Sequence, residues 1–451
     1  MKLKKITIAV SVCIMMLAIP YAAQAGAHAA VAAQPESGTL TIQTETYEAP
    51  GLTAVVDLYK KANPKVNVTF LNLTSTTARS ENILQLSSSA APDIGFVELG
   101  SDVYSPLVSH NELESLAPVW KADNLYNEYP AGSIAYMNSG TSSTPYGMFL
   151  FAGLGSMLFY NKTLFAKAGV QPPAGRLFKN MAEFNTLVDK LKAKGITPLE
   201  LGCNSTVALG HLVDDLLPTS ATPSQFLAYT GDWHKGSKSP VQFTDSPFVN
   251  VLQTIENWAT EGTLEPGCLS VNDTENYGNF ANGEAAMYEG STYNVPEIIA
   301  AATKPAFPVG WFMMPPITAG VKTPFWNYSG SMFVVPTHAP DVALAMNFLQ
   351  FLGKPSNLSL YAADNLSLPV IRDAVREHEP SQIFYQVVDL EKTVGSDVPW
   401  DAAVPATLGQ KTEVPLLEEM VAGTLSVRAT AKDFQQAFVA LQTGKVVPTG
   451  M

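Results

Sequence analysis

Residues 39–46 read Thr-Leu-Thr-Ile-Gln-Thr-Glu-Thr, and Leu40 and Ile42 alternate with threonines at the period of a half-buried strand. Leu52, Val55, Val56 and Tyr59 follow at i, i+3, i+4 and i+7, the stripe of an amphipathic helix. The stripe stops before Pro64, whose ring cannot continue a helix. Val66, Val68 and Phe70 alternate again, a second helical stretch is expected over 78–89, and Ala91-Pro92-Asp93 leads into the strand-like Ile-Gly-Phe-Val-Glu-Leu of 94–99. Strand, helix, strand, helix, strand within about 60 residues predicts a parallel sheet. Ligands of such open sheets sit beyond the carboxyl ends of the strands, so residues 45–48 and 98–102 fall where a site belongs, with Tyr47 and Glu98 the foremost candidates.

The chain has 451 residues, 27 Lys and Arg against 40 Asp and Glu, a formal charge of −13 and 46% hydrophobic residues. At about 150 residues per domain this length predicts two or three domains. An acidic balance with no basic cluster beyond the first five residues excludes the electrostatic footprint of a nucleic-acid or anionic-membrane binder. Lys2, Lys4 and Lys5 precede an apolar run over 6–20, and Ala23-Gln24-Ala25 supplies the small-x-small cleavage pattern, so residues 1–25 read as a secretory signal peptide. Ala27-His28-Ala29 and Ala30-Val31-Ala32 are alternative sites. Removing three lysines and no acids takes the charge from −13 to −16. Cys13 leaves with the signal and follows Val12 rather than a small residue, which gives no support to a lipid anchor and favours a periplasm over a secreted or surface-attached location. Cys203 and Cys268 remain, either paired in that oxidising space or as two separate buried thiols.

From Tyr146 the pattern restarts with Tyr-Gly-Met-Phe-Leu-Phe-Ala-Gly-Leu-Gly-Ser-Met-Leu-Phe-Tyr, a glycine-punctuated apolar run expected to cross between two lobes before Asn161 opens a helix. Asn180 is an N-cap with Glu183 at the capping-box position, Phe184, Leu187, Val188 and Leu191 form the stripe, and Gly195 follows the end. Ser246-Pro247 opens another helix, Ala345, Phe348, Leu349 and Leu352 mark a third, and Thr430 is the expected cap of the last. No internal repeat is present. The reading is α/β with two lobes.

Tyr160-Asn161-Lys162-Thr163-Leu164-Phe165-Ala166-Lys167-Ala168-Gly169-Val170, followed by Pro172-Pro173, resembles the signature of extracellular solute-binding proteins of family 1, the sugar-binding receptors of ABC importers. Ala91-Pro92-Asp93, Tyr146-Gly147, the Asn282–Met287 stretch similar to the family's GxAAM segment, residues 310–316 and a helix at 340–353 stand in the family's order. The resemblance covers roughly residues 38–445. It implies a periplasmic-binding-protein type II-like fold with discontinuous lobes and a hinge cleft, here 38–147 with 316–362 and 148–315 with 363–451. It also implies capture of an oligosaccharide, disaccharide or polyol and delivery to a membrane permease. Two departures stand out: Gly290-Ser291-Thr292 leads to Tyr293 where the family commonly has tryptophan, and Gly175-Arg176-Leu177-Phe178 replaces a tryptophan-bearing segment after the double proline.

Sugars present hydroxyls around apolar faces, so their sites combine aromatic rings with Asp, Glu, Asn or Arg. Tyr47 either meets ligand or covers the first helix, and Glu98 is delivered to the sheet edge by its apolar run. Trp233 lies in a polar segment where no period explains an exposed indole. Trp326 and Tyr328 sit beside Ser329-Gly330-Ser331 at the expected second crossover. Tyr288, Glu289 and Tyr293 surround Gly290 at a position the resemblance assigns to binding, although Tyr288 fits the core equally. Arg372 follows Leu368-Pro369-Val370, where the family often places an entry-loop residue. Trp258 and Trp311 read as core.

A glycoside hydrolase, with two carboxylates about 5 to 10 Å apart, is the alternative function for an exported acidic chain. No nucleophile elbow, P-loop, H-E-x-x-H or C-x-x-C pair is present, and no cofactor or metal is expected. His211-x-x-Asp214-Asp215 comes nearest to a metal cluster and reads as the surface polar face of a helix. The expected molecule is a monomeric receptor that binds no nucleic acid.

Overall fold

A computed structural model describes residues 36–45, 49–73, 82–98, 103–129, 133, 134, 137, 144–205, 207–295, 298, 307–328, 331–365, 367–371, 382–405 and 407–447, with backbone alone at Glu98, Asp273, Thr274 and Gln410. The expected signal sequence over 1–25 and its expected cleavage sites lie outside these residues. β1 (Ser37–Glu45) pairs in parallel with β2 (Lys65–Leu73), from Ser37 opposite Lys65 to Glu45 opposite Leu73. The helix Ala49–Ala62 joins them and buries Leu52, Val55, Val56 and Tyr59, the stripe read from the sequence. β3 (Gly95–Glu98) enters through a parallel bridge between Ile42 and Ile94. Of the helix expected over 78–89, Ile83–Leu86 is present among the described residues, which omit 74–81.

Side chains tie this sheet together where its backbone ladder is short. Asp93 accepts from the Thr41 amide and hydroxyl, each at 2.7 Å, and from the Asp341 amide at 2.7 Å, fastening β1 to the start of the helix Val342–Leu352. Buried Gln43 donates to Asn82 Oδ1 at 3.0 Å and accepts from Asn82 Nδ2 at 2.9 Å and from the Phe96 amide at 3.1 Å. Satisfied buried amides of this kind fix register, because a one-residue slip would strand them.

The apolar run at 146–160 becomes three short strands, each in a different sheet. β4 (Gly147–Phe149) lies beyond β11 (Ser331–Val334), giving the order β3-β11-β4. β5 (Phe151–Leu154) pairs antiparallel with β10 (Phe325–Tyr328), flanked by β12 (Leu368–Pro369) and β13 (Ser396–Asp397). β6 (Met157–Asn161) lies between β8 (Ala285–Gly290) and β9 (Val309–Met313), with β7 (Thr197–Glu200) parallel to β8. Asn161 then caps the next helix, accepting from the Thr163 and Leu164 amides at 2.9 and 3.2 Å.

Two hydrophobic cores result. Leu40, Ile42, Phe96, Phe149, Phe333 and Phe348 belong to the first, which also takes Tyr288 and Trp311 where the strands cross. Phe184, Leu212, Phe243, Trp258, Met287 and Phe434 belong to the second, in which Phe243 stacks on Phe434 at 5.7 Å. The last helix, Val427–Thr443, is capped by Ser426 rather than Thr430. Thr430 is wholly buried one turn inside, its hydroxyl donating to the Ser426 carbonyl at 3.2 Å, so the cap falls to the preceding exposed serine. Among the described residues no helix is long and apolar enough to cross a membrane.

Cys203 and Cys268 form a disulfide across 65 positions of sequence. Beside it Glu265 accepts the Leu201 and Gly202 amides at 3.0 and 2.8 Å, so the loop entering the helix Ala208–Ser220 is held covalently and by hydrogen bonds. In the chain-entropy description a link of this span contributes about 4 kcal/mol. A Cys203→Ser, Cys268→Ser variant is expected to lose stability of that order, read as a lower urea midpoint with a steeper slope, because the unlinked denatured chain exposes more surface.

Candidate functional site

The candidate site stands on the strands that cross between the two cores. β5 carries Gly153, and Gly155 follows its end. A methyl group at Gly153 would lie 1.9 Å from the Tyr293 ring, and one at Gly155 would lie 1.8 Å from the Trp326 ring. Both aromatic rings therefore rest on bare backbone, which no other residue permits. Tyr293 donates its hydroxyl to the Tyr328 carbonyl at 2.7 Å and meets Phe151 edge to face at 5.6 Å. The Leu154 amide donates to Thr292 Oγ1 at 2.9 Å, joining the crossing strand to the turn after β8.

Around the Trp326 ring lies a set of ionisable groups. Trp326 donates its indole N–H to Asp215 Oδ1 at 2.9 Å, and the His211 ring tilts against the Trp326 ring at 5.2 Å. His211 Nδ1 faces Glu289 Oε2 at 3.8 Å, a charge pair beyond hydrogen-bond length. Asp215 is 0% exposed and Glu289 4%, and each keeps one carboxylate oxygen without a hydrogen-bond partner, Oδ2 and Oε1 respectively. Asp214, one position earlier on the helix, accepts from the Asp401 amide at 3.1 Å. Glu413, at the end of a wide helical turn over 409–413, brings its carboxylate up to Gly210. Glu45, at the carboxyl end of β1, is 2% exposed with both oxygens unpartnered.

Burial sets how these groups hold protons. It pushes Asp214, Asp215 and Glu413 well above the usual carboxylate range, helped by the neighbouring charges of Asp401 for Asp214 and Glu413, and of Glu289 for Asp215. Burial pulls the His211 imidazole down, but Glu289, followed by Asp401 and Asp215, outweighs it and holds the group at about 9. Elsewhere burial lifts Glu200 to about 7 and Asp123 to about 6.

Several sequence expectations meet a different outcome. The residues His211, Asp214 and Asp215 do not form a surface polar face: both aspartates are buried and the histidine joins the aromatic wall. A helix packed on both sides gives no periodic sign of this, since the acids occupy core positions as Leu212 and Leu216 do. Trp233 is half-buried rather than exposed, with its indole N–H donating to the Thr230 and Ala403 carbonyls at 3.1 Å each, so it anchors one helix to another. Tyr288 belongs to the first core, beside Tyr277 at 5.5 Å and Phe280 at 5.7 Å, and strand alternation turns Glu289 the other way. Trp326 and Glu289 meet around His211, and Tyr293 meets the Tyr328 carbonyl beside Gly153. Glu98 ends β3 opposite Ser331, while its side chain, Tyr47 and Arg372 lie outside the described positions. Sequence reasoning missed His211 and Asp215, and it passed over Glu45 in favour of its neighbour Tyr47. Among the described residues the one group of three metal-type ligands is Cys203, Glu265 and Cys268, whose sulfurs are committed to the disulfide.

The chain belongs to the bacterial extracellular solute-binding protein family, whose model matches residues 40–358. This is the family that the stretch after Tyr160 resembles. No curated protein sequence matches the chain. Among solved structures it is similar to a chitin oligosaccharide binding protein, at 19% identity and TM-score 0.73, covering 90% of this chain and 100% of that one. It is similar to the GacH receptor of Streptomyces glaucescens, solved unliganded and with acarbose, at 17% identity and TM-score 0.71, covering 91% and 100%. It is also similar to the solute-binding protein RafE in complex with raffinose, at 17% identity and TM-score 0.69, covering 90% and 100%. The two-lobed α/β fold expected from the sequence is the fold these structures share.

Two measurements test the site's physics. Gly155→Ala should displace the Trp326 ring and cost about 1–3 kcal/mol, the usual penalty of overpacking, seen as a lower melting temperature and altered tryptophan fluorescence. Asp123, Glu200, Asp214, Asp215, Glu413 and His211 all hold protons more tightly folded than unfolded. Folding therefore takes up protons, and stability falls as pH rises. The carboxyl contribution is lost from about pH 4 upward and that of His211 between about 6.5 and 9. Melting temperature is expected to drop by several degrees from pH 5 to pH 9.

Proposed function

We propose that this chain is the substrate-binding receptor of an ABC importer, capturing a carbohydrate in an interlobe cleft and handing it to a membrane permease that holds the ATP-driven machinery. The observation that carries the carbohydrate reading is the wall beside the crossing strands. There the Trp326 ring lies against His211 and donates to Asp215, Glu289 faces His211, and the Tyr293 ring stands at the neighbouring Gly153, so aromatic faces occur beside donors and acceptors. The oligosaccharide ligands named for the similar structures agree with that chemistry.

The lobes run over 38–147 with 316–362 and over 148–315 with 363–451. The second hydrophobic core, drawn wholly from 148–315 and 363–451, supports the division, whereas the first also takes in parts of both those segments, among them Phe280, Phe307, Trp311, Leu368 and Phe384. Ligand contacts from both lobes would favour closure by the difference in affinity between the two states. Residues 1–25 serve export and are removed, and the mature chain works as a monomer in the periplasm. It binds without transforming its ligand.

A thermal-shift screen of the chain from Gly26 against sugars and polyols, followed by chromatography of the recovered ligand, tests this. A true ligand at 100 times its dissociation constant should add about 2.7 kcal/mol of stability. Intact sugar on recovery supports the receptor. Cleaved sugar would replace it with an exported glycoside hydrolase, and no shift with any sugar would remove the carbohydrate.

A further inference from the structure

We propose that His211 is a ligand-contacting hydrogen-bond donor of the cleft, positioned by Glu289 and by the Trp326 ring, and that the sugar it meets carries no negative charge. This rests on the carbohydrate reading above and adds to it a residue and a charge class.

The argument begins with exposure. In the cluster of His211, Asp215, Glu289 and Trp326, the other three are 0 to 4% exposed, whereas the His211 side chain is 27% exposed, so the cluster meets solvent through the imidazole. The ring is held on two sides. Trp326, itself fixed by Asp215 and by the bare backbone of Gly155, lies against one face, and Glu289 stands opposite Nδ1. Nε2, at the other corner of the ring, has no protein partner among the described residues. The Glu289 charge keeps both ring nitrogens protonated through neutral pH, so Nε2 presents an N–H and no lone pair. That geometry suits a hydroxyl or ring oxygen of a sugar.

Charge class follows from what surrounds the ring. Glu289 faces it from β8, Asp215 from its own helix and Asp401 from the helix Trp400–Ala403. Asp214 and Glu413 gather near Asp401. Trp326 on β10 contributes a ring and no charge. His211 is already paired with Glu289, which leaves no surplus positive charge for a carboxylate ligand, and a uronate at Nε2 would face the Glu289 charge across the same ring.

The test is calorimetric titration of the mature chain with raffinose, stachyose, N,N′-diacetylchitobiose and galactose, and with galacturonate as the anionic counterpart of galactose. For the tightest neutral sugar, His211→Ala should weaken binding about 10- to 100-fold, the range for a charge-assisted hydrogen bond. His211→Gln keeps a donor without a titrating charge and should bind with an affinity flat between pH 6 and 10. Wild-type affinity should fall as pH passes about 9. Glu289→Gln should move that fall toward the ordinary histidine range near about 6.5, a displacement that a merely structural role would not produce. If His211→Ala fails to fold by circular dichroism, the glutamine variants and the wild-type pH profile decide. Wild-type affinity that the His211 variants retain, with the same pH profile, overturns the role of His211 and leaves the carbohydrate reading standing. Tighter binding of galacturonate than of galactose overturns the charge class. Wild-type binding to none of the neutral sugars overturns the carbohydrate reading and this role with it.

Discussion

Two strands lying side by side organise the molecule: β5 carries the chain away from the first sheet and β10 brings it back, antiparallel, with Asn327 opposite Leu154 and Tyr328 opposite Gly153. Each is short: in sequence β5 stands between β4 and β6, and β10 between β9 and β11, all strands of other sheets. The ladder lies where the two cores meet, and Phe159, Trp311 and Met313 of the strands beyond it pack into the first core. In the proposed receptor such a ladder is where a hinge between lobes would fall. The glycines of β5 have a second consequence there. Where Gly153 and Gly155 expose backbone, the rings of Tyr293 and Trp326 come into space that a side chain would fill.

Electrostatic arrangement explains why the wall beside the crossing strands is more than packing. Carboxylates are seldom buried without a cation or several donors, since the desolvation penalty is several kcal/mol per ion. Here Asp214, Asp215, Glu289 and Glu413 are buried, with His211 as the nearby positive group and oxygens left over. Protonation relieves part of that cost, which is why the aspartates and Glu413 hold protons so firmly. Such an arrangement lowers stability at neutral pH. Its persistence beside the aromatic platform fits a binding site better than a structural core, because strain of this sort concentrates at functional positions.

The fold was legible where the chain repeats a simple period. Leu40 and Ile42, the stripe from Leu52 to Tyr59 and the alternation from Val66 to Phe70 each report burial on one face, and each lies where expected. The crossing of the 146–160 run was also readable, because glycines interrupt an apolar segment too long for one strand. Of the site, Trp326, Tyr328, Tyr293 and Glu289 were reached through their places near the crossover and after the GxAAM-like stretch. His211 and Asp215 escaped because a polar residue on a doubly covered helix looks in sequence like one facing water. Trp233 misled for the opposite reason: its two carbonyl partners come from its own preceding helix and from residue 403, a pairing no local pattern announces.

By itself the sequence determined the alternation of strands and helices, the family and the two-lobed α/β class. Those follow from local rules, hydrophobic period and capping, together with a motif whose residues are contiguous. Only the tertiary structure decided which polar groups are buried together. Asp215 and Trp326 are separated by 111 positions, yet they share a hydrogen bond. His211 and Glu289 meet because the helix after the disulfide loop packs against the crossing strands. Desolvation and charge depend on distances through space, and a chain's order encodes those only after it has folded.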